Sequence, residues 1–230
     1  MTETRCRFCL SGDIYRLSDA RRRYWRCRTC GGISAAAECF LDSEAQRTRY
    51  LLHRNTLDSA GYEAFLRRFI EPVASFMQSA GLPVRRVFDY GCGPEPALIE
   101  LMRRSIFPGA DIRGWDPFFF PECVPFDGGA DLVVCLEVAE HFEDVDSGFA
   151  GLCRLCRPGG IAAVGTMEVP ADDGAFLSWW YKEDCTHVSF YSRKAISAAA
   201  RRAGLVPCGE SALQSDRLFL FARERAEHGV

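Results

Sequence analysis

The chain has no apolar run of about 18 residues, so nothing in it reads as a transmembrane helix. Its first residues, Met1-Thr2-Glu3-Thr4-Arg5, lack the layout of a secretory signal, and a soluble cytoplasmic protein with no membrane partner is expected. Positive charge is not in surplus. With 28 Lys and Arg against 31 Asp and Glu, the net charge is −3, which excludes a global nucleic-acid footprint. Internal repeats and low-complexity linkers are absent as well, which excludes a solenoid or a tethered array. Histidine is scarce, with 4 in 230 residues, so a pair placed near acids carries information.

What is present is enough apolar material, 48%, for one full core and a small appendage. Cysteine is plentiful at 12 residues, and in an intracellular α/β chain metal ligation and buried thiols are better readings than disulfides. Cys6-x-x-Cys9 and Cys27-x-x-Cys30 form two pairs with 17 residues between them. Each short turn aims two thiolates inward, and four sulfurs suit tetrahedral Zn²⁺, so residues 1–36 read as a zinc ribbon with a structural metal. Ile14–Leu17 and Tyr24–Cys27 would be its strands. The first 30 residues carry Arg5, Arg7, Arg16, Arg21, Arg22, Arg23, Arg26 and Arg28 against Glu3, Asp13 and Asp19. That excess would either meet an anionic partner or lie solvated on the hairpins. Cys153-x-x-Cys156 has no second pair nearby and reads as packing.

Asp42-Ser43-Glu44-Ala45 opens a capped helix leading to Tyr50, His53 and Asn55, polar groups that either contact a ligand or form a satisfied helix surface. Tyr62, Phe65, Leu66, Phe69, Ile70, Val73, Phe76 and Met77 then keep the spacing of an amphipathic helix, and Gly81-Leu82-Pro83 ends it. Residues 37–83 are thus expected to be a helical linker or cap. Beyond it, Val87-Phe88-Asp89-Tyr90-Gly91-Cys92-Gly93-Pro94 is an apolar strand entering an acidic, glycine-punctuated turn, followed by helical spacing over Ala97–Met102. Such a turn lets backbone approach a ligand closely. A nicotinamide-binding turn would want G-x-G-x-x-G, but position 96 is Pro96.

Asp111-Ile112-Arg113-Gly114-Trp115-Asp116 reads as a second strand ending in an acid, and Asp131-Leu132-Val133-Val134-Cys135-Leu136 as a buried parallel strand. Arg157-Pro158-Gly159-Gly160 precedes another strand, Ile161–Gly165, and Asp216–Ala222 a last one. This alternation over 84–230 implies a doubly wound α/β domain.

Asp89-x-Gly91-x-Gly93 resembles the first motif of the class I S-adenosylmethionine (SAM)-dependent methyltransferases. The resemblance implies a Rossmann-like, mostly parallel, seven-stranded sheet. Asp89, Gly91 and Gly93 would hold the amino-acid end of the cofactor, Asp116 the ribose, and Leu136 would flank the adenine or the backbone near it.

After the Leu136 strand, Glu137, Glu140 and His141 fall at i, i+3 and i+4, one face of a helical turn at the carboxyl end of a central strand. Two carboxylates and an imidazole are costly to bury unless a cation joins them. His187, in the aromatic and polar stretch Trp179–Tyr191, could supply a fourth ligand. Glu-x-x-Glu-His with a later histidine, over about residues 84–195, is similar to the metal-binding pattern of the small-RNA 2′-O-methyltransferases and the ubiquinone-biosynthesis O-methyltransferases. It implies a second divalent metal, such as Mg²⁺, that binds acceptor hydroxyls. A metal-free acid–base site and a structural cluster remain the other readings of these residues. The expected function is methyl transfer to a hydroxyl of a small molecule. The alternatives are an RNA or carrier-bound substrate met by the ribbon, or a non-catalytic interaction protein.

Overall fold

The computed structural model describes residues 3–52, 56–209 and 217–225. An antiparallel hairpin opens the chain, with β1 (Ile14–Ser18) against β2 (Arg23–Cys27) and β3 (Ile33–Ala35) along the far edge of β2. The two cysteine pairs sit in tight turns beside this hairpin, the first closed by Leu10 N–H donating to Cys6 O and the second by Gly31 N–H donating to Cys27 O. Helix α1 (Ser43–Tyr50) starts at Asp42, whose carboxylate accepts from Ala45 N–H at 2.8 Å. Helix α2 (Ala60–Ser79) buries Leu66, Phe69, Ile70, Val73 and Met77, the core of the expected stripe.

The remaining elements follow in alternation. They are β4 (Arg86–Tyr90), α3 (Ala97–Leu101), β5 (Asp111–Trp115), β6 (Ala130–Leu136), α4 (Val145–Leu155), β7 (Cys156–Gly165), α5 (Asp173–Leu177), β8 (Ser189–Phe190), α6 (Arg193–Arg202), β9 (Leu205–Cys208) and β10 (Leu218–Arg223). The main sheet has the order β5-β4-β6-β7-β10-β9; its first four strands are parallel, and β10 runs antiparallel to both neighbours. This is the expected mostly parallel Rossmann-like sheet, with six strands among the described residues where seven were expected. Alternate side chains serve two cores. Val87, Leu132 and Val134 pack with α2, whereas Phe88, Val133 and Cys135 pack with α4 and α6.

One local expectation shifts. The turn expected at Arg157–Gly160 is absorbed into β7, where a register break between Ala130 and Leu132 takes up the extra residues as a bulge. The aromatic and polar stretch Trp179–Tyr191 contains β8, which pairs with β3 outside the main sheet, Ile33 facing Phe190 and Ser34 facing Ser189. The ribbon and the segment before α6 therefore share one small sheet and one core, built from Tyr24, Ile33, Phe176, Tyr181 and Phe190 among others.

Candidate active site

The carboxyl ends of β4, β5 and β6 open into a cavity of about 760 Å³, the position where parallel α/β sheets take ligands. Asp89, the penultimate residue of β4, lines it while only 3% exposed. Burial, and then the nearby Asp116, push the Asp89 carboxyl up to about 7. Gly91 follows with φ 85°, and a Cβ there would come within 2.5 Å of Val138. Only glycine fits, and it brings the turn's backbone to the cavity wall. Asp116, just past β5, accepts from Gly93 N–H at 3.1 Å on one oxygen, and from Phe118 N–H at 2.9 Å and Phe119 N–H at 3.2 Å on the other. Its carboxylate is thereby fixed at the mouth with lone pairs left for a diol. Leu136 lines the wall beside them.

The opposite wall carries the acids and imidazoles. The α-helical turn expected at Glu137 is not formed. Glu137 has φ 53°, and a 3₁₀ turn, Ala139–His141, follows. The backbone leaves the helical path there, yet Glu137 and Glu140 still face the same Tyr181 hydroxyl. Glu140 is completely buried; Tyr181 donates to its Oε1 at 2.6 Å, and its Oε2 has no hydrogen-bond partner among the described residues. His141 Nδ1 lies 3.1 Å from Thr186 O, and His187 Nδ1 lies 2.7 Å from Tyr181 O. A carbonyl can only accept, so both Nδ1 atoms carry protons and both Nε2 atoms keep lone pairs. One ligand atom each from Glu140, His141 and His187 fall within 4.8 Å of one another. Glu137 stands outside this trio, 3.2 Å from the Tyr181 hydroxyl.

The electrostatics follow from this crowding. Burial raises Glu137 to about 8, helped by the charge of Glu140, and burial raises Glu140 to about 7. Burial lowers His141, and burial with the neighbouring His141 lowers His187 to about 3. Both imidazoles are neutral at physiological pH, ready to act as ligands or acceptors. Two neutral imidazoles and a buried carboxylate with one unbonded oxygen gather here, a set that a cation would satisfy.

The family described as a methyltransferase domain matches residues 61–207. The chain belongs to this family. That places it among the class I SAM-dependent methyltransferases, with which Asp89-x-Gly91-x-Gly93 shares its pattern. Among solved structures it is similar to a 1,6-didemethyltoxoflavin N1-methyltransferase from Burkholderia thailandensis, bound to its acceptor and S-adenosylhomocysteine (SAH), at 14% identity and TM-score 0.51, covering 93% of this chain and 100% of that one. An O-methyltransferase family protein from the same organism has 17% identity and TM-score 0.49, over 72% of this chain and 59% of its own length, so the likeness spans little more than half of that protein. A SAM-bound amino pentose methyltransferase from Micromonospora echinaspora has 18% identity and TM-score 0.44, over 74% and 100%. No curated protein matches by sequence.

The methyltransferase also brings Cys6, Cys9, Cys27 and Cys30 together. Cys6 and Cys30 sulfurs are 3.6 Å apart, as are those of Cys9 and Cys27. Four ligands at about 2.3 Å around Zn²⁺ require sulfurs about 3.8 Å apart, so the donor set and spacing fit zinc. Sequence reasoning did not assign Tyr181, which links the two glutamates, or Arg49, whose guanidinium pairs with Asp184 at 2.7 Å on the cavity rim. Tyr181 lay inside the aromatic stretch that was singled out, but only the folded loop directs its hydroxyl at Glu140. Tyr50 packs edge-on against His141 at 5.2 Å, whereas His53 and Asn55 lie outside the described residues.

Proposed function

We propose that this methyltransferase moves the methyl group of SAM to a hydroxyl of a small-molecule acceptor held against Glu140, His141 and His187. The observation that carries the reading is the trio itself: three convergent acceptor atoms within 4.8 Å, on the same cavity as Asp89 and Asp116. Asp89, Gly91 and Gly93 hold the amino-acid end of the cofactor, Asp116 grips the ribose diol and Leu136 flanks the adenine. Glu140, His141 and His187 would hold a divalent cation, which when bound supplies a Lewis acid for acceptor oxygens. Two imidazoles and one carboxylate suit a first-row ion such as Mn²⁺ or Zn²⁺ better than the oxygen-loving Mg²⁺. Glu137, outside the trio and raised to about 8, is, in the ionised form that mildly alkaline pH favours, the base that would receive the acceptor's proton as the new C–O bond forms and the C–S bond to the departing thioether breaks. Aromatic walls exclude water from that displacement.

A small and uncharged or cationic acceptor is supported by charge. Among the described lining residues, Arg49 is the cation, already paired with Asp184, against seven acids: Asp89, Glu95, Asp116, Glu137, Glu140, Glu183 and Asp184. A polyanion would be repelled there. Several of the ribbon arginines are also engaged with acids: Arg7 pairs with Glu3, Arg23 with Glu38, Arg26 with Asp173 and Arg28 with Asp13. The similar structure from Burkholderia thailandensis, with 1,6-didemethyltoxoflavin and SAH bound, supports a small-molecule acceptor. On this reading, residues 1–36 and 37–83 frame the mouth and 84–230 bind the cofactor.

The test is calorimetry with SAM, SAH and NAD, followed by labelled SAM with a panel of hydroxylated small molecules and RNA, with and without chelator. SAM and SAH binding, and chelator-sensitive label in a small hydroxylated acceptor, support the reading. Preference for NAD, or label only in RNA, overturns it.

A further inference from the structure

The turn joining β1 to β2 lies on the loop that carries His187. Asp19 Oδ1 accepts from the amides of Arg21 and Arg22, both at 2.8 Å, which closes the turn. From that turn the guanidinium of Arg22 reaches three carbonyls of one loop, Lys182 O and Asp184 O at 3.2 Å and His187 O at 2.7 Å. Lys182 runs the opposite way: only 4% exposed, it donates to Asp19 Oδ2 at 2.9 Å. The ribbon continues the grip through Ala35 N–H, which donates to Val188 O at 2.8 Å. On the loop's other side, Val188 N–H donates to Glu140 O at 2.8 Å and the His187 ring bonds Tyr181 O. Residues 181–188 are thus held between the ribbon and the turn that bears Glu140 and His141.

We infer that Arg22 is a positioning residue of the methyl-transfer site: by gathering the carbonyls of Lys182, Asp184 and His187, it sets where the Tyr181 hydroxyl and the His187 imidazole stand against Glu140 and His141. The ribbon is then part of the site's framework, and its zinc acts on the reaction only through this loop. A guanidinium presents its donors in a rigid plane, so carbonyls from positions 182, 184 and 187 can be gathered by it in only one loop shape. A lysine ammonium, a single point charge on a flexible stem, cannot impose that shape. The inference rests on the proposed trio only for its metal readout; the position of the loop can be read without it.

The experiment uses full-length, zinc-loaded protein with Arg22→Ala, Arg22→Lys and, as control, Arg23→Ala, whose side chain pairs with the exposed Glu38. Hydrogen exchange of amides 181–188, binding of added Co²⁺ with its visible absorption, and SAH affinity are measured on each. Arg22→Ala is expected to speed exchange across 181–188 and to weaken Co²⁺ binding by about tenfold or more with an altered spectrum, the range seen when groups orienting a metal ligand are removed. SAH affinity should stay within about twofold, because Asp89 and Asp116 stand on the other wall. Arg22→Lys should fall between the two, and Arg23→Ala should match the wild type. Unchanged exchange and an unchanged Co²⁺ spectrum in Arg22→Ala overturn the inference. If Arg22→Ala does not fold, wild-type exchange in Arg22→Lys overturns it instead. If the wild type takes up no Co²⁺ beyond its zinc, the metal reading falls, and the exchange comparison alone decides for or against Arg22.

Discussion

Tyr181 donates its hydroxyl proton to Glu140 across 2.6 Å, and the same oxygen stands 3.2 Å from Glu137. One proton cannot bond both carboxylates at once, so the three groups form a proton-sharing unit at the edge of the cavity. The hydroxyl lowers Glu140 against the stronger effect of burial.

Tyr181→Phe removes that donor and leaves Glu140 buried with neither oxygen bonded. Urea unfolding of protein without added divalent metal should show a loss of about 1–3 kcal/mol, the cost of an unsatisfied buried polar group. Turnover should fall, while SAH affinity measured by calorimetry should be unchanged. A variant with wild-type stability and turnover would show that the hydroxyl has no part in the site.

Glu140→Gln, His141→Ala and His187→Ala each remove one of three converging ligand atoms. Each should abolish binding of the added divalent ion and stop turnover, with SAH affinity intact, because the ion would act on the acceptor and not the donor. Glu137→Gln should keep the ion and lose rate. Metal analysis, with the ribbon zinc as an internal count, separates these outcomes. Full ion binding in the histidine variants together with lost turnover would favour the metal-free acid–base reading.

Cys27→Ser should cost about one zinc per chain. Because Ser34 of the ribbon pairs with Ser189 of the main body, the damage should not stay within the first residues. Exchange should rise at β8, and the melting temperature of the whole protein should fall. Retention of full zinc would remove the ribbon assignment.

Much of this architecture was legible because it is written in local patterns. The four cysteines announce a knuckle pair by spacing alone, and Val87–Gly93 announces strand and turn by composition. Glu140, His141 and His187 could be named because acids and imidazoles are rarely buried without a reason. What could not be read depends on chain reversals. The left-handed step at Glu137 follows from no propensity of glutamate, so helical spacing gave the wrong backbone there even though its carboxylate still meets Glu140 through Tyr181. Pairing of β8 with β3 joins segments some 150 residues apart, and Arg22 on His187 does the same. No periodicity within a window reports such contacts.

The cofactor wall yields a prediction with a definite sign. Asp89 is held near 7, far above its ordinary 3.8, by burial and by Asp116. A carboxyl raised by folding keeps a proton that the unfolded chain has already released. Its contribution therefore makes the ligand-free protein less stable as pH climbs from about 4 toward 7. Ligand binding runs the other way. On the proposed reading Asp89 faces the ammonium of SAM and must be ionised to attract it, so below about 7 binding has to expel a proton. SAH affinity should decline as pH drops below 7, approaching about tenfold per unit, and calorimetry in buffers of different ionisation enthalpy should detect proton release near pH 6. Asp89→Asn removes its share of both effects: the ligand-free protein should lose less stability between pH 5 and 8 than the wild type, the remainder coming from Glu137 and Glu140, and its weakened SAH affinity should lose this pH dependence. If SAH binds the wild type equally at pH 5.5 and 8 with no proton released, Asp89 does not meet the cofactor's charge, and its burial serves the turn alone.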